Sequence, residues 1–310
     1  MSQILATIAP IFIVTFLGAV LRRIRLMPDL FLGPANQLVY YVAIPAMVFR
    51  KIATNSFEAN FDPLVLAGCV TALLVMAILG LLIAWGLGIA PHGRPTFSQT
   101  TFHGNLGYIG LAVAFYALGN DGLIKASILT GFMMIVQNFM AVVILTRNLA
   151  GEGRSAFQPR LWFGKIVVHP VIVSALAGIL FSVSGLKLPL IIDRTLSIID
   201  GMSLPMALLL IGASMSLQQF KGEVRLTLIS SSLKLLLLPA VGLALFKIMH
   251  IAPDAYLPGL ILLGAPSATM SFIMAREMDG DADLAAACIS SSVVLCALSY
   301  ALWIAVTHIG

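Results

Sequence analysis

Thr101–Ala112 reads TFHGNLGYIGLA and lies inside a run, Pro95–Asn120, that contains no Asp, Glu, Lys or Arg. Gly104, Gly107 and Gly110 surround the polar residues His103 and Asn105. A second stretch has the same character. Leu262–Phe272, LLGAPSATMSF, sets Gly264 and Pro266 ahead of Ser267, Thr269 and Ser271 within the uncharged run Ala255–Ala275. A helix needs about 20 apolar residues to cross a hydrocarbon core, and both runs suffice. Glycine weakens a helix and proline removes one of its backbone bonds, so both segments are expected to break in mid-membrane. Broken backbone survives there only against protein or a water-filled cavity.

The rest of the chain, cut at its charges, gives eight more such segments. Met1–Leu21, Leu30–Phe49, Pro63–Gly93, Ala126–Thr146, Ile166–Leu186, Gly201–Phe220 and Leu284–Gly310 are uncharged, and Leu226–Phe246 is interrupted only by Lys234. The expected fold is therefore an all-α polytopic membrane protein with ten transmembrane helices. Composition agrees: of 310 residues 60% are hydrophobic and only 10% charged, whereas soluble chains carry roughly a quarter charged residues. That balance excludes a soluble globular protein, a disordered chain and a nucleic-acid binder. Cys69, Cys288 and Cys296 all fall inside spans and read as small buried hydrophobes.

Lys and Arg set the expected orientation. The segments after the odd-numbered spans hold eleven of the 18 and those after the even-numbered spans six. The positive-inside rule then places both termini outside and the central linker in the cytoplasm. Residues 1–150 read as a first five-helix repeat, 151–164 as the linker, and 165–310 as a second repeat. A shift of 160 superimposes Gly18 on Gly178, Pro45 on Pro205, Gly104 on Gly264 and Asp121 on Asp281. Because five is odd, the second repeat must be inverted. Paired broken helices 4 and 9, crossing in matching halves of an inverted repeat, are the sequence mark of a secondary transporter with a midplane site.

Several stretches carry a more specific likeness. Asn36-Gln-Leu-Val-Tyr-Tyr-Val-Ala-Ile-Pro45, Gly104-Asn105-Leu-Gly-Tyr-Ile-Gly-Leu111, Leu233-Lys234 followed by Pro239, Phe272-Ile-Met-Ala-Arg-Glu277 and Gln137 resemble the auxin efflux carrier family, over essentially the whole chain. Bacterial members of that family are described as malonate or malate permeases. The resemblance implies a scaffold of spans one, two, six and seven and a second part of spans three to five and eight to ten. It implies Asn105, Gln137, Ser267 and Ser271 as substrate-site residues, with Pro45 and Pro205 beside the cavity. The chain departs from the family at Ala112, where many relatives have proline, and at Val48, where plant carriers have serine; the latter argues against auxin itself as substrate.

An unpaired amide in hydrocarbon costs about 4–8 kcal/mol, so Asn105 must face either a substrate or the broken backbone. His103 reads as a proton relay, a carboxylate donor or a structural histidine. Lys234, some eight residues into its span, is either a snorkelling side chain or a counter-charge for an anion or an Asp. Asp200 is a candidate for a coupling proton or an ordinary solvated carboxylate, and His169, before Pro170, reads as interfacial. Half-helix N-termini at the breaks would favour a carboxylate. The expected function is a carrier of small organic anions in a bacterial inner membrane, with no cofactor and no nucleic-acid partner. Coupling to Na⁺ or H⁺ and assembly as a homodimer stay open, as do a channel or sensor and an intramembrane enzyme built on His103 and Ser267. No G-x-x-x-x-G-K-[ST] loop for ATP occurs.

Overall fold

The computed structural model describes residues 2–146, 168–214 and 224–307, and its regular elements are all helical. Helix α1 is Ser2–Arg23. Helices α2 (Asp29–Leu38) and α3 (Ile44–Ala53) run on through a π-helical turn, Val39–Ala43, just ahead of Pro45. The short α4 (Phe57–Asn60) leads to α5 (Pro63–Gly86), which starts sharply: Pro63 needs no N–H, and Asp62 Oδ1 accepts from Leu64 N at 2.8 Å. Then come α6 (Gly93–Phe102), a π turn Leu106–Gly110 and α7 (Leu111–Thr146). The second half holds α8 (Pro170–Val183), α9 (Leu190–Ser214), α10 (Val224–Ser232), a π turn Leu233–Leu237, α11 (Leu238–Ile248), α12 (Pro253–Leu263), α13 (Met270–Glu277) and α14 (Ala282–Thr307). The expected linker 151–164 lies outside the described residues.

Six of these stretches are long and apolar enough to cross a membrane, and Pro170–Val183 is a shorter apolar helix. Leu30 is 90% exposed, and Phe16, Leu180 and Trp85 are also exposed; apolar side chains on the outside are what a hydrocarbon solvent requires. One boundary differs from the charge-based reading. The fourth and fifth uncharged runs are not parted by a loop at Asp121–Lys125; helical turns continue through it, and the two helices meet at a kink at Gly119 (φ 70°, ψ −160°). That positive φ is open to glycine at little cost. Counting charges cannot find a kink made by one residue.

Polar contacts cluster at the two ends of the bundle. At one end Arg22 meets Asp29 at 2.9 Å and donates to the Ala213 carbonyl at 2.8 Å. At the other, Arg50 binds Asp193 at 2.7 Å and Asp200 at 3.4 Å, and Lys51 donates to Asn120 at 2.6 Å. Asp200 thus belongs to an ion-pair cluster between α3 and α9. The three cysteines are buried and free.

Helices α1 and α9 pack backbone to backbone through glycines. A Cβ on Gly18 would fall on the Leu209 carbonyl, and one on Gly212 on the Thr15 carbonyl. Small residues at such contacts are what let helices approach in lipid, where no hydrophobic force drives them together. Gly212→Ala must push the two helices apart; a loss of about 1–3 kcal/mol is expected, read as a lower thermal midpoint in detergent, whereas Gly201→Ala, with open space around it, should leave the midpoint unchanged.

Candidate functional site

Helix α6 stops at Phe102 and α12 at Leu263, and in both places several residues pass before helix resumes. The two interruptions solve each other's hydrogen-bond deficit. Asn105 N donates to Pro266 O at 2.7 Å, Ala268 N donates to His103 O at 2.9 Å, and Gly104 and Ser267 form an antiparallel bridge. Gln137, reaching in from α7, acts as a third strand: its Oε1 accepts from Gly104 N and its Nε2 donates to Gly104 O, each at 3.1 Å. Ser267 N donates to Ser292 Oγ at 3.0 Å, and Ser267 Oγ donates to Thr100 O at 2.8 Å. Buried backbone groups are nearly always paired, and here side chains from two other helices, Gln137 on α7 and Ser292 on α14, complete the pairing.

Lys234 is fully buried and donates from Nζ to Leu263 O, the last carbonyl of α12, at 2.9 Å. It does not snorkel. Its ammonium group lies directly behind the crossing, because a Cβ on Gly104 would stand 3.2 Å from Nζ. An added methyl group at Gly104 would press on Lys234 and Leu106. A cation at a helix C-terminus is favoured by the helix dipole, yet no carboxylate pairs with this one among the described residues.

Beyond the break, Asn105 Oδ1 accepts from Tyr108 N at 3.3 Å and caps the π turn. Its Nδ2 has no protein partner among the described residues. Tyr108 donates its hydroxyl to Asn36 Oδ1 on α2 at 2.7 Å. This bond stands between two cavities, of about 290 Å³ and about 210 Å³, whose walls share Asn36, Asn105, Tyr108 and Thr269. No Asp, Glu, Lys or Arg lines either one among the described residues.

Of the residues singled out from sequence, His103, Gly104, Asn105, Gly107 and Gln137 line the larger cavity. His103 is 1% exposed, its Nδ1 3.2 Å from Gln99 Nε2. Ser267 and Ser271 are fully buried and line neither cavity, and Ser271 Oγ has no partner among the described residues. Gly264 caps α12, and Pro266 lends its carbonyl to the crossing. Pro45 and Pro205 are absent from both walls; Ile44 takes the nearer place, and Pro205 is exposed. His169, read from sequence as interfacial, is the N-cap of α8, is 8% exposed and lines the larger cavity. Thr269, named with the second broken segment, also lines the larger cavity; sequence reasoning missed Tyr40, Tyr108 and Asn138, although Asn138 follows Gln137 and Tyr108 lies within the crossing motif.

The sequence model of the family described as membrane transport protein matches residues 3–159 and 160–304. An "Uncharacterized transporter" of Methanothermobacter thermautotrophicus is 23% identical over 305 residues, 96% of each chain. A "Putative malonate transporter" of Rhizobium meliloti is 26% identical over 235 residues, covering 71% of this chain and 69% of its own. An uncharacterized transporter of Methanocaldococcus jannaschii is 22% identical over 277 residues, 86% of this chain and 87% of its own.

Replacing Gln137 by Leu strands the N–H and the C=O of Gly104 in an apolar setting, at about 1–3 kcal/mol for each group. The expected result is a thermal midpoint well below that of wild type, while Phe139→Leu, an exposed position on the same helix, should leave it within a few degrees.

Proposed function

The chain belongs to the membrane transport protein family, the auxin efflux carriers, and from that premise we propose that it carries small organic anions, mono- or dicarboxylates such as malonate or malate, by alternating access. Its relatives are transporters, not enzymes, and it is an integral membrane protein. The observation that carries the anion assignment is the crossing itself. A lysine ammonium with no carboxylate partner sits behind Gly104, an Asn105 amide donor is free, and the cavity wall holds no carboxylate among the described residues. A buried cation without a counter-ion is costly, and an anion arriving at the cavity relieves that cost. A volume of about 290 Å³ lies at the bottom of the range for small-molecule sites, which suits an acid of a few carbons.

In this reading the nine uncharged runs and the run interrupted by Lys234 are ten crossings, arranged as two inverted five-helix repeats, residues 1–150 and 165–310 about a cytoplasmic linker at 151–164. Both termini face outward from a plasma membrane. Supporting it, the contacts collect at two ends: Arg22, Asp29 and Ala213 meet at one, Arg50, Lys51, Asn120 and Asp193 at the other. Spans one, two, six and seven form the scaffold, held by the glycine contact of α1 with α9 and by Gly178 of α8 against Phe49 and Ile52 of α3. The broken helices belong to the other part. Asn105 and His103 face the substrate, while Gln137, Ser267 and Lys234 hold the crossing in shape.

Purified protein in liposomes should take up labelled malonate above empty vesicles, and Asn105→Ala should lower the rate at least tenfold with little change in stability. Equal flux from wild type and variant sinks the site assignment. Varying the Na⁺ and pH gradients independently separates uniport from coupled transport. Lys234→Met removes the buried charge; malonate affinity should fall at least tenfold while the ligand-free thermal midpoint holds or rises, since replacing a buried ion by an apolar side chain is often stabilising.

A further inference from the structure

His169 has no role in what precedes, yet its surroundings are those of a binding group. It precedes Pro170 at the start of α8, its backbone carbonyl accepts from Val173 N at 2.9 Å, and its ring packs edge-on to Tyr40 with centroids 5.1 Å apart. The helix start and the aromatic contact fix the imidazole in place. His169 is 8% exposed, its Nδ1 is fully enclosed without a hydrogen-bond partner, and no hydrogen bond engages the other ring nitrogen among the described residues. An enclosed imidazole nitrogen without a partner is unusual, since buried polar side chains nearly always find partners.

The cavity that His169 lines is the one that Asn105 lines. It therefore contains two unsatisfied N–H donors on separate structural elements: the Asn105 amide on the broken span, and the His169 imidazole on α8, which packs against α3. In either neutral tautomer the imidazole carries one N–H, and when protonated two. A ligand with a single carboxylate satisfies one of these positions and leaves the other stranded. A ligand with two carboxylates on a short carbon chain can satisfy both.

We infer that His169 is the second-carboxylate contact of this cavity, which makes it a dicarboxylate site with Asn105 holding one end of the substrate and His169 the other. This rests on the reading of the Asn105 cavity as an anion site. It goes beyond that reading by assigning substrate class to one side chain that no sequence signal marked. Sites built to hydrogen-bond a substrate group discriminate strongly against analogues that lack it, because their own polar groups are then left unpaired.

The test is binding to purified protein in detergent, by calorimetry, of malonate, succinate and malate, each alongside its monomethyl ester. Four proteins are compared: wild type, His169→Phe, His169→Gln and Asn105→Ala. Phe keeps the edge contact with Tyr40 and removes the donors; Gln restores one donor. For at least one diacid, wild type should bind more tightly than it binds the monoester. His169→Phe should weaken that diacid by about thirtyfold, the scale of a hydrogen bond to a charged group, and change the monoester by less than about threefold. His169→Gln should recover most of the loss, and Asn105→Ala should weaken both ligands. Equal loss of diacid and monoester in His169→Phe, or loss of neither, overturns the inference while leaving the anion site standing. A Gln variant no better than Phe also overturns it, since the donor is then not what matters. No binding of any acid by wild type, or none affected by Asn105→Ala, removes the anion site and this assignment with it.

Discussion

In hydrocarbon a backbone amide has no water to fall back on, and this one constraint organises the molecule. Two helices are broken where breaking is most expensive, and the chain meets the demand by bringing the breaks together. Each lends the other its unused carbonyls and N–H groups, Gln137 supplies a strand-like third partner, and Lys234 and Ser267 close off the groups that remain. Everything else at the site follows from that closure. The donors left over, on Asn105 and His169, are the ones that face the cavity.

The helical class, the membrane setting and the two weak points in it are legible in the residues alone, because they are local. Charges end spans, and Gly and Pro weaken helices, wherever the rest of the chain lies. What is not legible is which distant group answers each local deficit. Gln137 looks like a ligand-facing polar residue until Gly104, 33 positions away, takes up both ends of its amide. Lys234 is compatible with snorkelling until Leu263 O, 29 positions on, fixes it inside. His169 looks interfacial because it opens a helix, and only the fold shows that the helix opens onto the cavity. Gly119 carries no mark at all beyond its being glycine. In each case the deciding information is a contact between segments.

The contrast between tight and loose contacts also gives the proposed motion a physical basis. Helices α1 and α9 touch backbone to backbone, a geometry that tolerates neither sliding nor an added methyl group. Across the proposed division between parts, the polar contacts among the described residues are few and include Tyr108 with Asn36 and Lys51 with Asn120, both exposed. Exposed pairs of that kind contribute little stability each and exchange readily, which is what a sliding boundary needs.

The role of Gln137 has one more consequence, for how such proteins diverge. The crossing is held largely through main-chain atoms, by a side chain that lies outside it. Side chains within the broken segments other than those of Asn105, Leu106 and Ser267 are thus relieved of the task of maintaining the geometry. A lineage could replace many of them, and with them the chemistry presented to a solute, without disturbing the architecture. Sequence likeness within this group then speaks to the machine, and the cargo has to be read from the handful of residues on the cavity wall.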